Sequence, residues 1–346
     1  MIACMLITIV MEFTEMRRLT GETSWISMVS AFRDQTANVD PSEYSMRFSG
    51  VLILFLGASF AVAYVYTYIV GNNVAAHYKQ PIINWVPILC YILISFMQGY
   101  RGDMLRFWVA LFIIIFTIKK RSVGWKNSEE TNRTIIRIAL SVIVIGVIFV
   151  AMRRLVGRTS TKDPLYYVTF YAGSSIAAFD LFLKDPLAPS GIWGKETFYD
   201  LNQSISAWFH KPELRYFFFK EFRTSPNGTT IGNIYTAFRP PYYDFGYLGM
   251  LIYLTAMGLF YTLVYCKVRD RYGRSEIDFR LLLYSYFAYT FFMYFYNSYN
   301  GFISFGFVRT ILEMLVIRWF LVGWHGKTQY TTSLLRGGRM KFVWNR

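Results

Sequence analysis

The run Asn233-Ile-Tyr235-Thr-Ala-Phe-Arg239-Pro-Pro-Tyr242-Tyr243-Asp244-Phe-Gly246-Tyr-Leu-Gly249 holds a guanidinium between rigid neighbours. Prolines at 240 and 241 do not fit a helix interior, and Pro240 biases Arg239 away from helical backbone. Asp244 stands where an N-cap belongs, directly before an apolar stretch. The pattern predicts Arg239 pinned beside the positive end of a helix, and a guanidinium there suits a phosphate. The same residues also suit a plain helix entry whose arginine reaches along apolar surface to lipid headgroups.

Other groups could share such chemistry. Arg101 is followed by Gly102, which lets a ligand approach the backbone closely. A salt bridge to Asp103 is the competing use of Arg101. Arg153, Arg154 and Arg158 cluster after an apolar block. Arg309 and Glu313 stand four apart within another, so they share a helix face and can pair. Ionisable residues inside an apolar helix are candidates for function, and a structural pair is the alternative. Proton transfer would need a base, for which His210, Asp180, Glu196, Asp200 and Asp244 are the candidates. His210, beside Lys211 and Pro212, also reads as an ordinary surface residue.

The elements that must position these groups are apolar. Of 346 residues, 54% are apolar and only 16% charged, well below the roughly one quarter charged of a soluble chain. A spanning helix needs about 20 mostly apolar residues. Candidate blocks run over 48–71, 81–98, 104–118, 135–152, 245–266, 281–299 and 305–324. The block at 1–13 is too short to span alone and lacks the basic start and cleavage site of a signal peptide. It reads as an interfacial segment or as the end of a longer helix.

The net charge of +15 lies in the gaps between apolar blocks and forms no continuous stripe, which argues against nucleic acid. Lysines and arginines at 119–137, 267–280 and beyond 326 can all be cytoplasmic together. That parity puts Arg101 and the stretch 153–241 outside. This stretch is too rich in Phe, Tyr and Trp for a flexible linker, and predicts a folded cap of short helices. The expected fold is all-α: a polytopic transmembrane bundle of about seven or eight helices with a large extracytoplasmic loop. Its parts are N-terminal transmembrane helices over 1–155, the loop over 156–241, C-terminal transmembrane helices over 242–326 and a cytoplasmic tail over 327–346.

Cys4, Cys90 and Cys266 have no metal or disulfide spacing, and the three histidines are too scattered for a zinc cluster. No nucleotide-binding signature occurs. Any reaction here needs a substrate that arrives already activated, and a lipid-linked pyrophosphate meets that need.

The 233–249 run resembles the signature of oligosaccharide repeat-unit polymerases, the Wzy-type O-antigen polymerases of bacteria. Gly99-Tyr-Arg101-Gly102 at a helix junction supports the likeness, with a weaker echo in Tyr171-Ala-Gly-Ser-Ser-Ile-Ala-Ala-Phe-Asp180. The resemblance implies a GT-C-like membrane glycosyltransferase, in the bacterial cytoplasmic membrane and with no cofactor or metal. It would join undecaprenyl-pyrophosphate-linked oligosaccharides into O-antigen or capsule. Membrane lipid is an implied partner, with room for a chain-length regulator and a flippase. On this reading Arg239, Arg101, His210 and Asp244 are catalytic candidates. Arg154, Arg158, Tyr235, Tyr242, Tyr243 and Arg309 are candidates for binding substrate. An O-antigen ligase-like transferase, a lipid-linked oligosaccharide flippase and a non-catalytic scaffold are the competing classes.

Overall fold

The computed structural model describes residues 1–36, 47–100, 102–126, 129–152, 164–269, 277–298 and 304–321. Arg101, Arg153, Arg154, Arg158 and the tail 327–346 lie outside them. The described chain is mostly helical, as the apolar blocks predict. In order the helices are α1 (Ile2–Thr20), α2 (Trp25–Thr36), α3 (Gly50–Ala75), α4 (Val86–Met97), α5 (Gly102–Ser122) and α6 (Glu129–Ala151). They continue with α7 (Pro164–Lys184), α8 (Tyr199–Phe209), α9 (Arg239–Arg269), α10 (Phe279–Phe292) and α11 (Phe305–Trp319). Two short strands, β1 (Arg223–Thr224) and β2 (Thr230–Gly232), pair antiparallel between α8 and α9.

Among the described residues two helices, α3 and α9, are long and apolar enough to cross a membrane; the apolar stretch Ile82–Met97 is shorter. Helix α3 is the central pillar and packs on α1, α4, α5 and α11. Its small and aromatic residues Ala61, Ala63, Tyr64 and Val65 are fully buried. Leu248, Ile252, Leu259 and Leu263 of α9 instead stay exposed, a run of apolar side chains that water would penalise and lipid would not.

Three local expectations are corrected. The first block is not confined to 1–13 but forms the nineteen-residue α1, closed by Gly21 in the left-handed conformation (φ 71°). The 156–241 stretch holds the twenty-one-residue α7 and a β hairpin, not only short helices. Pro240 and Pro241 do lie in a helix, because α9 starts at Arg239. In a first turn their missing N–H groups would have had no helical partner anyway. Helix α9 then kinks at Gly246 (φ 68°, ψ −168°).

Candidate active site

Arg239 is wholly buried where α9 begins. Its Nη2 donates to Glu196 Oε1 at 3.0 Å and to Glu221 Oε2 at 2.7 Å. The guanidinium lies over Tyr235, 4.0 Å from the ring centre, and over Phe182 at 4.5 Å. The aromatic faces stabilise the cation further, by about 1–2 kcal/mol at a desolvated site. Among the described residues, Nε and Nη1 meet no hydrogen-bond acceptor. An arginine keeps its charge in proteins, so these are charged donors without a partner in a site screened from water.

Four segments build this centre. Tyr235, itself fully buried, donates its hydroxyl to the Glu221 carbonyl at 2.9 Å. The Ala237 N–H donates to the Tyr294 carbonyl at 2.9 Å, which fixes the α9 start on the turn that ends α10. Ser175 of α7 donates to the Phe295 carbonyl of the same turn at 2.8 Å. Arg223 binds Asp185 at 2.7 Å and Glu221 at 3.0 Å, so Glu221 stands between two arginines.

Asp244 does not cap a helix with its side chain. Its carboxylate accepts the backbone N–H groups of Glu196 and Thr197, at 3.1 and 2.7 Å. It thereby fixes the turn that carries Glu196 to Arg239. The kink at Gly246 separates Asp244 from the long apolar part of α9, so its oxygens are free to serve a neighbouring segment.

Electrostatics follow from the burial. Desolvation pushes the Glu196 carboxyl above its ordinary value, against the pull of Arg239 and Lys220. Burial also raises Glu221, but the Arg239 hydrogen bond and charge outweigh it and leave that carboxyl below its ordinary value. Lys220 is half-buried along its length with its ammonium withdrawn from water, and burial pushes it down to about 8.

Other expected site residues fall in different places. Tyr242 packs edge-on to Phe179 and Phe182, and Tyr243 donates its hydroxyl to the Ala188 carbonyl at 3.0 Å. His210 is exposed at the end of α8, in left-handed backbone (φ 51°), with its N–H on the Ser206 carbonyl. Asp180 is exposed and paired with Lys184 at 2.6 Å. Arg309 and Glu313 pair at 3.4 Å against Gly57 of α3, where a Cβ would come within 3.0 Å of Arg309 Nη2.

Glu221, Lys220, Arg223 and Phe182 were not among the expected site residues. The signal for Lys220, Glu221 and Arg223 is the run Phe217-Phe-Phe-Lys220-Glu221-Phe-Arg223, charges set between aromatics that cannot all face water. Among the described residues, no cluster of His, Cys, Asp and Glu suits a metal ion. Arg106 is a further arginine packed among aromatic rings. Its guanidinium lies 4.9 Å from the Tyr289 ring centre and 5.5 Å from that of Phe60, with Asp103 at 3.6 Å.

A mostly helical chain with two lipid-compatible helices among its described residues and a buried arginine–carboxylate centre fits the class of helical membrane proteins. A family model described as "Putative O-antigen polymerase" matches residues 48–291, more than two thirds of the chain. The chain belongs to the O-antigen polymerase family, a family of membrane proteins. No curated protein and no solved structure matches it.

Proposed function

We propose that this protein polymerises undecaprenyl-pyrophosphate-linked oligosaccharide repeat units into O-antigen or capsule, on the outer face of the bacterial cytoplasmic membrane. Seven or eight helices cross the bilayer, α3 and α9 among them, and the 156–241 stretch with the start of α9 lies on the outer side. The reaction transfers a growing glycan from its lipid pyrophosphate to a sugar hydroxyl of a second lipid-linked unit. Activation is already stored in the pyrophosphate bond, so no nucleotide is needed.

One observation carries the reading: among the described residues, the buried Arg239 guanidinium keeps Nε and Nη1 without acceptors while its two carboxylates share Nη2. Phosphate oxygens suit those donors, and a low-dielectric site strengthens their hold on the charge that develops as the pyrophosphate leaves. A chain-length regulator and a flippase are natural partners for such an enzyme.

The test is complementation of a strain lacking its polymerase, with the surface glycan run on a gel. The native protein restores a ladder of repeats. Arg239→Ala, at matched membrane abundance, leaves a single repeat, and Arg239→Lys restores little because an ammonium cannot serve both carboxylates and a phosphate. A native protein that leaves one repeat only would sink the polymerase reading. Native and Arg239→Ala ladders of equal length would remove Arg239 from the site.

A further inference from the structure

The geometry points to Glu196 as the catalytic base of this centre, the group that takes the proton from the acceptor sugar hydroxyl. This inference rests on the polymerase reading. Glu196 has a side chain with no exposure, one oxygen on Arg239 Nη2 at 3.0 Å, and the other, Oε2, without a hydrogen-bond partner among the described residues. The Thr197 and Thr236 hydroxyls are likewise buried and unpartnered. Thr197 adjoins Glu196 in the chain, and the Thr236 carbonyl accepts the Arg239 N–H at 3.2 Å. Native interiors rarely leave such groups unsatisfied. Here a free carboxylate oxygen, two hydroxyls and two guanidinium nitrogens are carried by residues linked through the Glu196–Arg239 pair, the chain and one backbone bond. Together they offer both acceptors and donors, which is what a sugar hydroxyl next to a phosphate needs.

Of the rival carboxylates, Asp200 is only half-buried, in the first turn of α8, and the others are engaged elsewhere. Both Asp244 oxygens accept backbone N–H groups, Asp180 pairs with Lys184 in the open, and Glu221 is shared between Arg239 and Arg223. His210 is an exposed helix cap. Glu196 alone of these has a buried, unused oxygen. The charged and titratable groups around it are Arg239, Lys220, Asp244 and Tyr243, with Glu221 across the shared guanidinium. Its carboxyl stands above the ordinary value, which brings it closer to the pH at which a base works best.

The step balances. The acceptor hydroxyl oxygen bonds to the donor's anomeric carbon while its proton passes to Glu196 Oε2. The bond from that carbon to the pyrophosphate oxygen breaks, and its electron pair stays on the pyrophosphate, which leaves beside Arg239. The proton then passes from Glu196 to water.

The experiment uses the full chain in nanodiscs, with lipid-linked repeat unit extracted from a strain lacking its polymerase. Elongation is followed as a function of substrate concentration and pH. Glu196→Gln keeps an oxygen for Arg239 Nη2, so the expected result is kcat lowered about 10²-fold or more with KM changed little. Native protein loses activity on the acid side, and Glu196→Asp retains part of the rate with that acid limb displaced. A Glu196→Gln rate within a few-fold of native with the same acid limb would overturn the assignment, while loss of the ladder by Arg239→Ala would leave the polymerase reading standing. Should Glu196→Gln fail to fold, an acid limb unmoved in Glu196→Asp overturns the assignment equally. Native protein that elongates nothing overturns the polymerase reading, and the base goes with it.

Discussion

The Asp244 carboxylate accepts the backbone N–H of Thr197 at 2.7 Å, across 47 residues of chain. This bond, with its neighbour from Glu196, joins the start of α9 to the turn before α8 and holds both sides of the Arg239–Glu196 pair in register. Asp244 thus acts on the centre through the backbone it holds.

Asp244→Ala is expected to separate the two segments. Hydrogen bonds to a charged acceptor contribute about 1.5–3 kcal/mol each, and the two lost here are not fully additive. A drop of about 2–4 kcal/mol in unfolding free energy and a short or absent ladder should follow. Asp244→Asn keeps one acceptor oxygen and should fall between. Thermal unfolding in detergent measures this; an Asp244→Ala protein as stable as native would show that the bonds hold nothing.

Gly194 opens the same turn at φ 61°, where a side chain is strained and a Cβ would collide with the Phe198 ring. Phe198 in turn stacks on Trp193 at 4.8 Å, and its N–H donates to the Gly194 carbonyl at 2.8 Å. Gly194→Ala should cost about 1–2 kcal/mol from backbone strain, plus the displacement of that stack. Polymerisation should fall even where membrane abundance is restored, because Glu196 moves. Full activity at matched abundance would mean that the turn tolerates a different path.

Lys220 gives a pH signature. Its ammonium is pushed from 10.5 down to about 8, chiefly by burial, so between those values the unfolded chain holds a proton that the native protein does not. Stability therefore rises with pH across that window, and the penalty is complete below about 8. Buried tyrosines act in the opposite direction at high pH, so the quantity to read is the difference between native protein and Lys220→Met. Native should gain melting temperature relative to the variant between about pH 8 and 10.5. Parallel curves would show that the ammonium is hydrated.

How far the sequence revealed this is uneven, for physical reasons. The apolar blocks 245–266 and 104–118 lie within α9 and α5, because long apolar runs favour helices that can be buried, and of the two only α9 is long and apolar enough to cross a membrane. Arg239 was singled out from its prolines, and the structure does bury it where α9 starts. Its partners were not legible, since Glu196 and Glu221 reach it from 43 and 18 residues away through tertiary folding. Asp244 has a good N-cap's sequence position, yet its side chain serves a distant turn. His210 drew notice as the one histidine in the long loop, and sequence cannot tell that its role is to end a helix.

At the other end of the bundle, Asp278 ties several helices together. Its Oδ2 accepts from Arg121 Nη1 at 2.8 Å, its Oδ1 caps α10 through the N–H groups of Arg280 and Leu281, and its own N–H donates to Tyr68 Oη at 3.0 Å. Arg121 also donates to the Val268 carbonyl at the end of α9. Helices α3, α5, α9 and α10 thus meet at one ion pair, whose side chains are 10% and 6% exposed. Removing one partner of a buried pair strands the other, at about 3–5 kcal/mol, whereas an apolar replacement of the stranded charge recovers much of that. Asp278→Ser should keep the cap but strand Arg121, and is expected to melt well below native in detergent. Adding Arg121→Met should restore most of the loss, because Ser serves the cap and no charge is left buried. If the double variant is no more stable than Asp278→Ser, the stranded charge is not the cost, and the junction is held by packing of the four helices instead.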